Sequence, residues 1–223
     1  MRRRVWLGGW ALMTCSGLAG FSAGNVLAAA SGASENAAPS EFFLPLFPLR
    51  VVAFPGELVL LHIFEPRYRQ LIAECAESGI SFGIVTIVPG GASSVGTEME
   101  LDRILQTDEN GNMDVAVRGL RVFRLQSFQP VVEGKLYSGG RVLFGKNSPR
   151  IDPELQAALV QLYNRLQYQS GARERLSAPY PENLSFLIGH DVGLTQAQEL
   201  RLLSMPVEND RQTYLLQHLL RTQ

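Results

Sequence analysis

The side chains in this 223-residue chain with the most direct claim to catalysis are few: His62, His190, His218, Cys15, Cys75, and the only two lysines, Lys135 and Lys146. The histidines are scattered, with no partner at ligand spacing, and neither cysteine has a second one near it. There is no CxxC, no HExxH and no acidic calcium loop, so zinc and calcium chemistry have no ligand set in the sequence. His62 sits in an apolar run between Leu61 and Ile63, which reads as a buried or edge histidine held by its neighbours. His218, among leucines near the C-terminus, reads as a helix-face residue close to the negative end of the dipole. Cys75 falls on the apolar face of a helical repeat, where a thiol packs and does not react. A serine–lysine dyad would have to use Ser138 with Lys135 or Ser148 with Lys146, and both pairs look like loop residues. Gly145-Lys146 is followed by Asn147, without the Ser or Thr of a Walker motif, which argues against an ATPase. Arg118, Arg121 and Arg124, around a strand, are the remaining concentration of candidate groups. Strict alternation puts Arg118 and Arg124 on one strand face and Arg121 on the other, unless a bulge at Gly119 realigns them. The reading is a solvated face paired with acids.

The elements that carry these residues fall into two kinds. From Phe42 to Phe144 the pattern is mostly strand-like. Val51 to Phe54 is an apolar run ending at Pro55-Gly56, and Leu58 to Phe64 is a second of strand length. Pro66 then opens a helix whose apolar positions Tyr68, Leu71, Ile72 and Cys75 share one face, and Gly79 stops it. Strands are predicted over 80–88, 95–107, 114–128 and 136–144, with a turn at 108–112. After Asp152-Pro153 the period changes. Leu155, Leu159, Leu162 and Leu166 predict a helix, Leu184, Leu187 and Ile188 a short one, and Thr195 to Gln198 a capping box. A last helix carries Leu215, Leu216, Leu219 and Leu220 beyond Pro206. The fold class is therefore α+β, a β-rich half followed by a bundle of about four helices.

Composition limits the partners. Hydrophobic residues at 46% with charged residues at 18% fit a globular domain preceded by one apolar segment. Arg2, Arg3 and Arg4 precede an uncharged apolar run to Phe21, and small residues at 28–30 suit signal peptidase. Residues 1–30 are predicted to be a cleaved export signal, Sec or twin-arginine, leading to the periplasm, and 31–41 a flexible linker. A misassigned start, with a cytoplasmic protein, is the alternative. Cleavage removes three arginines and no acid, moving the formal charge from −1 to −4. That disfavours nucleic acid as a partner, and no stable membrane span is expected to remain after cleavage.

Several motifs then fall in order. Leu44-Pro45-Leu46-Phe47-Pro48-Leu49, Phe54-Pro55-Gly56 and Leu61-His62-Ile63-Phe64-Glu65-Pro66-Arg67-Tyr68 come first. Gly83 within Phe82 to Val85, Gly96 within Val95 to Thr97, and Gly119 and Arg121 within Arg118 to Arg124 follow. Together they resemble the Lon N-terminal, or substrate-binding, domain family, over roughly 42–223. The resemblance implies a PUA-like β-barrel with one packed helix over 42–145 and a helical bundle over 150–223. It implies a stand-alone, non-catalytic module binding unfolded or exposed apolar segments of proteins, in protein quality control, with no cofactor. An enzyme using Cys75 or His62 and an RNA-binding PUA-like module are the alternatives. The motif residues read as mainly structural. Prolines fix φ and withhold donors, Phe47, Phe54, Phe64 and Tyr68 supply apolar area to the barrel and its helix, and Glu65 sits where a helix dipole favours an acid. A binding groove is expected along the helix from Arg67 to Glu77 or at the barrel rim near Gly90.

Overall fold

The computed structural model describes residues 41–171 and 175–222 of the chain. The expected leader and all of the expected linker except Glu41 lie outside the described residues. Six strands come first with one helix among them: β1 (Glu41–Leu49), β2 (Leu58–Ile63), α1 (Pro66–Ser78), β3 (Phe82–Val88), β4 (Gly91–Thr107), β5 (Met113–Gln129) and β6 (Ser138–Phe144). Four helices follow: α2 (Pro153–Gln169), α3 (Leu184–Ile188), α4 (Gln196–Ser204) and α5 (Glu208–Arg221). All belong to one compact unit, Pro39–Gln223.

The strands run β2-β5-β4-β3-β1-β6, and β6 returns to pair with β5. Five strands therefore close a ring. β5 is long enough to serve two partners, holding β2 along 113–118 and β6 along 123–129. Only β1 and β3 run parallel, joined through β2 and α1. A proline inside a sheet removes a ladder donor, yet β1 carries two between its neighbours. The reason it tolerates them is an offset. β1 pairs with β6 over 41–46 and with β3 over 46–49, so Pro45 and Pro48 each sit where the strand has one neighbour and one free side.

The run from Val51 to Phe54, strand-like in sequence, is not a strand. Its backbone is satisfied by side chains instead. Thr86 Oγ1 donates to the Val51 carbonyl at 3.1 Å and Thr97 Oγ1 to the Ala53 carbonyl at 2.5 Å. Two threonines thus do what a ladder would, and the segment is buried without pairing. Its side chains part ways. Ala53 faces the cluster between sheet and α1, while Val52 and Phe54 join the cluster of the four C-terminal helices.

Helix α1 starts and stops where its sequence requires. Pro66 occupies the first turn and Gly79 takes the left-handed conformation at φ 66°, its N–H reaching the Cys75 carbonyl. Tyr68, Leu71, Ile72 and Cys75 are buried against the sheet. Phe47 stacks on Tyr68 with ring centroids 3.7 Å apart. A separate cluster of Leu44, Leu46, Val85, Phe123 and Val142 fills the ring. Two glycines make room for Phe123, since a Cβ on Gly83 would meet its ring at 2.8 Å and one on Gly96 at 2.5 Å. The helices behave likewise. Asp152 accepts from the N–H groups of Glu154 and Leu155 to cap α2, and Thr195 with Gln198 forms the expected capping box on α4.

Candidate functional site

The barrel and the helices meet at the turn Phe54-Pro55-Gly56-Glu57. Gly56 adopts φ 82°, a conformation that suits glycine. Its N–H donates to the Gly119 carbonyl at 2.8 Å, and the Gly119 N–H returns a bond to the Glu57 carbonyl at 2.9 Å. A Cβ on Gly119 would collide with the Phe54 carbonyl, so the turn can lie against β5 only because Gly119 has no side chain. On its other side the turn grips the bundle. Phe54 stacks on Phe186 at 5.3 Å and lies 4.4 Å from the His190 ring. Glu57 Oε2 accepts from the Phe54 N–H at 3.0 Å and lies 3.1 Å from His190 Nε2. The other ring nitrogen of His190 lies 2.6 Å from Glu199 on α4. Burial alone would lower the His190 pKa, but hydrogen bonds to Glu199 and Glu57 and the charges of both outweigh it and bring it up to about 9. A cation between two carboxylates thus clasps the turn to α4.

Next to Gly119 the ladder slips. Met99 pairs with Gly119 and Glu98 with Arg121, so Leu120 is the extra residue of a bulge. The slip regroups the arginines. Arg118 and Arg121 now face the same row of acids, bonding Asp102 at 3.2 Å and Glu98 at 2.6 Å. Arg121 also covers the Phe144 ring at 3.5 Å. Arg124 pairs in register with Val95, on the opposite face. That face, with the bulge, forms one wall of a cleft of about 120 Å³. The other walls are Gly145 to Asn147, the start of α3, and the end of α4 from Leu203 to Pro206. Val95, Phe186 and Leu203 are buried at its floor, and Leu120, 41% exposed, stands at its side.

The cleft wall is held rigid from behind. Ser148 and Val207 form an isolated bridge, with the Ser148 N–H donating to the Pro206 carbonyl at 2.8 Å and the Glu208 N–H to the Ser148 carbonyl at 3.0 Å. Beneath it Glu208 and Arg211 form a fully buried ion pair at 2.6 Å. Glu208 also accepts from the Ser185 N–H and hydroxyl and from Gln212. Arg211 donates to the Met205 carbonyl and lies 4.2 Å over the Phe186 ring. The network fixes the mutual positions of α3, the end of α4, and α5, three of the segments that meet at the cleft.

The motif residues divide into three groups. Pro55 and Arg121 line the cleft, Phe54, Gly56 and Gly119 build the turn beside it, and Gly83 and Gly96 belong with the barrel, where they make room for Phe123. Pro45, Phe47, Pro48 and Tyr68 belong to the barrel and α1. His62, Phe64, Glu65 and Arg67 lie at the outer edge near β2, away from it. Three expectations need correcting here. Phe64 adds nothing to the core, because it is 60% exposed just past the end of an edge strand. Phe54 serves the helices and not the barrel, because its segment turns outward after Ala53. Glu65 makes no side-chain cap and instead holds Arg67 at 2.7 Å, leaving Arg67 over the Tyr68 ring. The expected groove does not lie along α1, whose apolar face is spent on the barrel core, and Gly90 is not among the residues that line the cleft.

Several of the groups singled out for catalysis are otherwise engaged. Cys75 is buried, and burial pushes its thiol up to about 11, with the nearby Glu74 adding to the rise. His62 is exposed on the edge strand and holds Asp114 at 2.6 Å, with Gln106 bonded to the other oxygen. Lys135 bonds Glu74 at 2.8 Å, and Ser138 donates to the Leu46 carbonyl, so they form no dyad. Gly140 and Gly145-Lys146 have the spacing of a phosphate loop, but the residues between them are strand β6. Among the described residues no group of three His, Cys, Asp or Glu could hold a metal ion. Among them, too, no helix is long and apolar enough to cross a membrane.

Sequence reasoning singled out neither the His190 clasp nor the buried Glu208–Arg211 pair. Their only local signals were charged residues among leucines, and their partners lie far away in the chain.

The fold has solved counterparts. A Lon N-terminal domain protein from Xanthomonas campestris is 27% identical with a TM-score of 0.63, covering 79% of this chain and 98% of that one. The N terminal domain of a Mycobacterium avium complex Lon protease, 18% identical, shares the fold with a TM-score of 0.63 over 80% of this chain and 98% of its own. No curated protein matches the sequence. Residues 43–221 match the family described as the ATP-dependent protease La (LON) substrate-binding domain. The match takes in the barrel, the clasping turn and all four C-terminal helices, and the chain belongs to that family.

Proposed function

We propose that this chain is a binding module for exposed apolar segments of other proteins, without catalysis of its own, acting in protein quality control outside the cytoplasm after export. The observation that carries the binding reading is the cleft between β5 and the helices. It has an apolar floor of Val95, Phe186 and Leu203, and its walls are held by hydrogen bonds and a buried ion pair. Its volume of about 120 Å³ is close to that of an apolar cavity of ~150 Å³ that takes up benzene, the size of one large apolar side chain. A preformed pocket for one anchor residue suits the recognition of segments that a folded client hides. The non-catalytic part of the reading is supported by the engagement of Cys75, Lys135 and Ser138 in packing and hydrogen bonds. An RNA-binding role is weakened by Arg118 and Arg121, whose charges are met by Asp102 and Glu98.

The test is fluorescence anisotropy with a reduced, alkylated and permanently unfolded client, beside the same client folded. Saturable binding to the unfolded form alone is the expected result. No binding to either form would refute the proposal. The export part is checked by sequencing the mature N-terminus from fractionated cells, where a terminus near Ala29 or Ser31 outside the cytoplasm is expected.

A further inference from the structure

The cleft is apolar inside and cationic in its charged lining. Four side chains that line it are basic, Arg121, Arg124, Lys146 and Arg211, and none is acidic. Two of the four are neutralised. Arg121 is met by Glu98 and Arg211 by Glu208. Arg124 and Lys146 are exposed and have no ion pair among the described residues. They approach the cleft from two directions, Arg124 from β5 past the bulge and Lys146 from the segment just after β6. The bulge at Leu120 matters here. Without it Arg121 and Arg124 would be displaced by one residue in register, and Arg124 would fall into the row that faces the acids of β4. Polar groups between the two walls are amides, Asn147 donating to Asn183 at 2.7 Å.

We propose that the cleft selects protein segments in which an apolar anchor is flanked by carboxylates. The anchor occupies the floor of Val95, Phe186 and Leu203, and the flanking acids meet Arg124 and Lys146. This rests on the binding reading above and adds the chemistry of the segment. Charge complementarity carries it, because an anchor flanked by lysines would bring like charges to a rim that holds no acid among its lining residues. A nucleic acid fits less well. The floor is sized for one side chain, and the two cations flank a pocket instead of tracking a backbone.

The test uses three synthetic peptides of about twelve residues, identical except that a central Leu-Phe pair is flanked by Glu, Gln or Lys. Each is titrated by anisotropy against the full chain without its leader. The Glu peptide is expected to bind about five- to tenfold tighter than the Lys peptide, as two exposed ion pairs would give, with Gln between them. Raising salt from about 0.05 to about 0.5 M should shrink the difference. R124E/K146E should reverse the order of the Glu and Lys peptides. Should that variant lose its folding transition, R124Q/K146Q serves, and there the three affinities should converge. S204W, a bulky residue placed on the cleft wall, should weaken all three peptides.

Equal affinities in the wild-type protein, or an order that survives R124E/K146E, would overturn the charge selection and leave apolar binding standing. Binding unaffected by S204W would overturn the cleft as its location. If no peptide and no unfolded client binds, the underlying reading fails as well. A single-stranded RNA of about twelve nucleotides that displaces the Glu peptide at equal concentration would assign the rim to nucleic acid and overturn the proposal.

Discussion

The clasp at His190 makes the stability of this fold depend on pH in a region where few groups titrate. His190 has an ordinary pKa of 6.5 and reaches about 9 in the folded chain. Its side chain is 25% exposed, so solvent screens the two carboxylates only in part. When the folded pKa is the higher one, the folded state holds more protons than the unfolded state between the two values, and stability falls as pH rises. The contribution is fully present below pH 6.5 and is lost as pH climbs through 9. One proton corresponds to about 1.4 kcal/mol per pH unit, so the total lost over the window is about 3 kcal/mol. The perturbation is H190Q, which keeps a donor but removes the charge. The assay is urea unfolding of both proteins at pH 6, 7, 8 and 9, followed by circular dichroism. The wild-type midpoint should fall steadily from pH 7 to 9, and that of H190Q should lack this fall. At pH 6 the two should differ by about 3 kcal/mol, and at pH 9 the gap should nearly close. Parallel curves, with the same gap at every pH, would refute the reasoning, since they would show that His190 is neutral in the folded state or contributes by packing alone.

Three further outcomes are expected. Cys75, buried and with its thiol pushed up to about 11, should stay unmodified by iodoacetamide at pH 8 and react fully in urea, as read by peptide mass mapping; rapid labelling of the native chain would contradict its placement. E208L should cost about 3–5 kcal/mol because it strands the buried Arg211, whereas E208L/R211M should cost less than E208L alone; a double variant as unstable as the sum of its parts would show that the pair is not coupled. G119A should cost about 1–3 kcal/mol by forcing the Phe54 carbonyl away from β5, while G145A, whose Cβ would meet open space, should stay within about 0.5 kcal/mol; similar midpoints for the two would place the turn elsewhere.

Features that depend on neighbours a few residues apart were legible in the chain. Pro66 and Gly79 bounded α1, the alternation of apolar residues placed the strands, and Thr195 with Gln198 announced α4, because φ restrictions, caps and side-chain periodicity act within one or two turns of chain. The slip near Gly119 was legible for the same reason, as a change of parity along one strand, although the extra residue proved to be Leu120. The ordered motifs were enough to indicate the family, since each records a local geometry that this fold must satisfy. Other features could not be read this way. Val51 to Phe54 looks like a strand because it is apolar, and only the distant Thr86 and Thr97 side chains make a ladder unnecessary. Phe64 looks like core until β2 is seen to lie at an edge of the sheet. The clasp joins Glu57 to His190 across 133 positions, and the cleft exists only where the bulge of β5 meets the end of α4. Hydrogen bonds and packing between segments so far apart leave no periodic trace in either segment, so the clasp and the cleft emerge only in the folded chain.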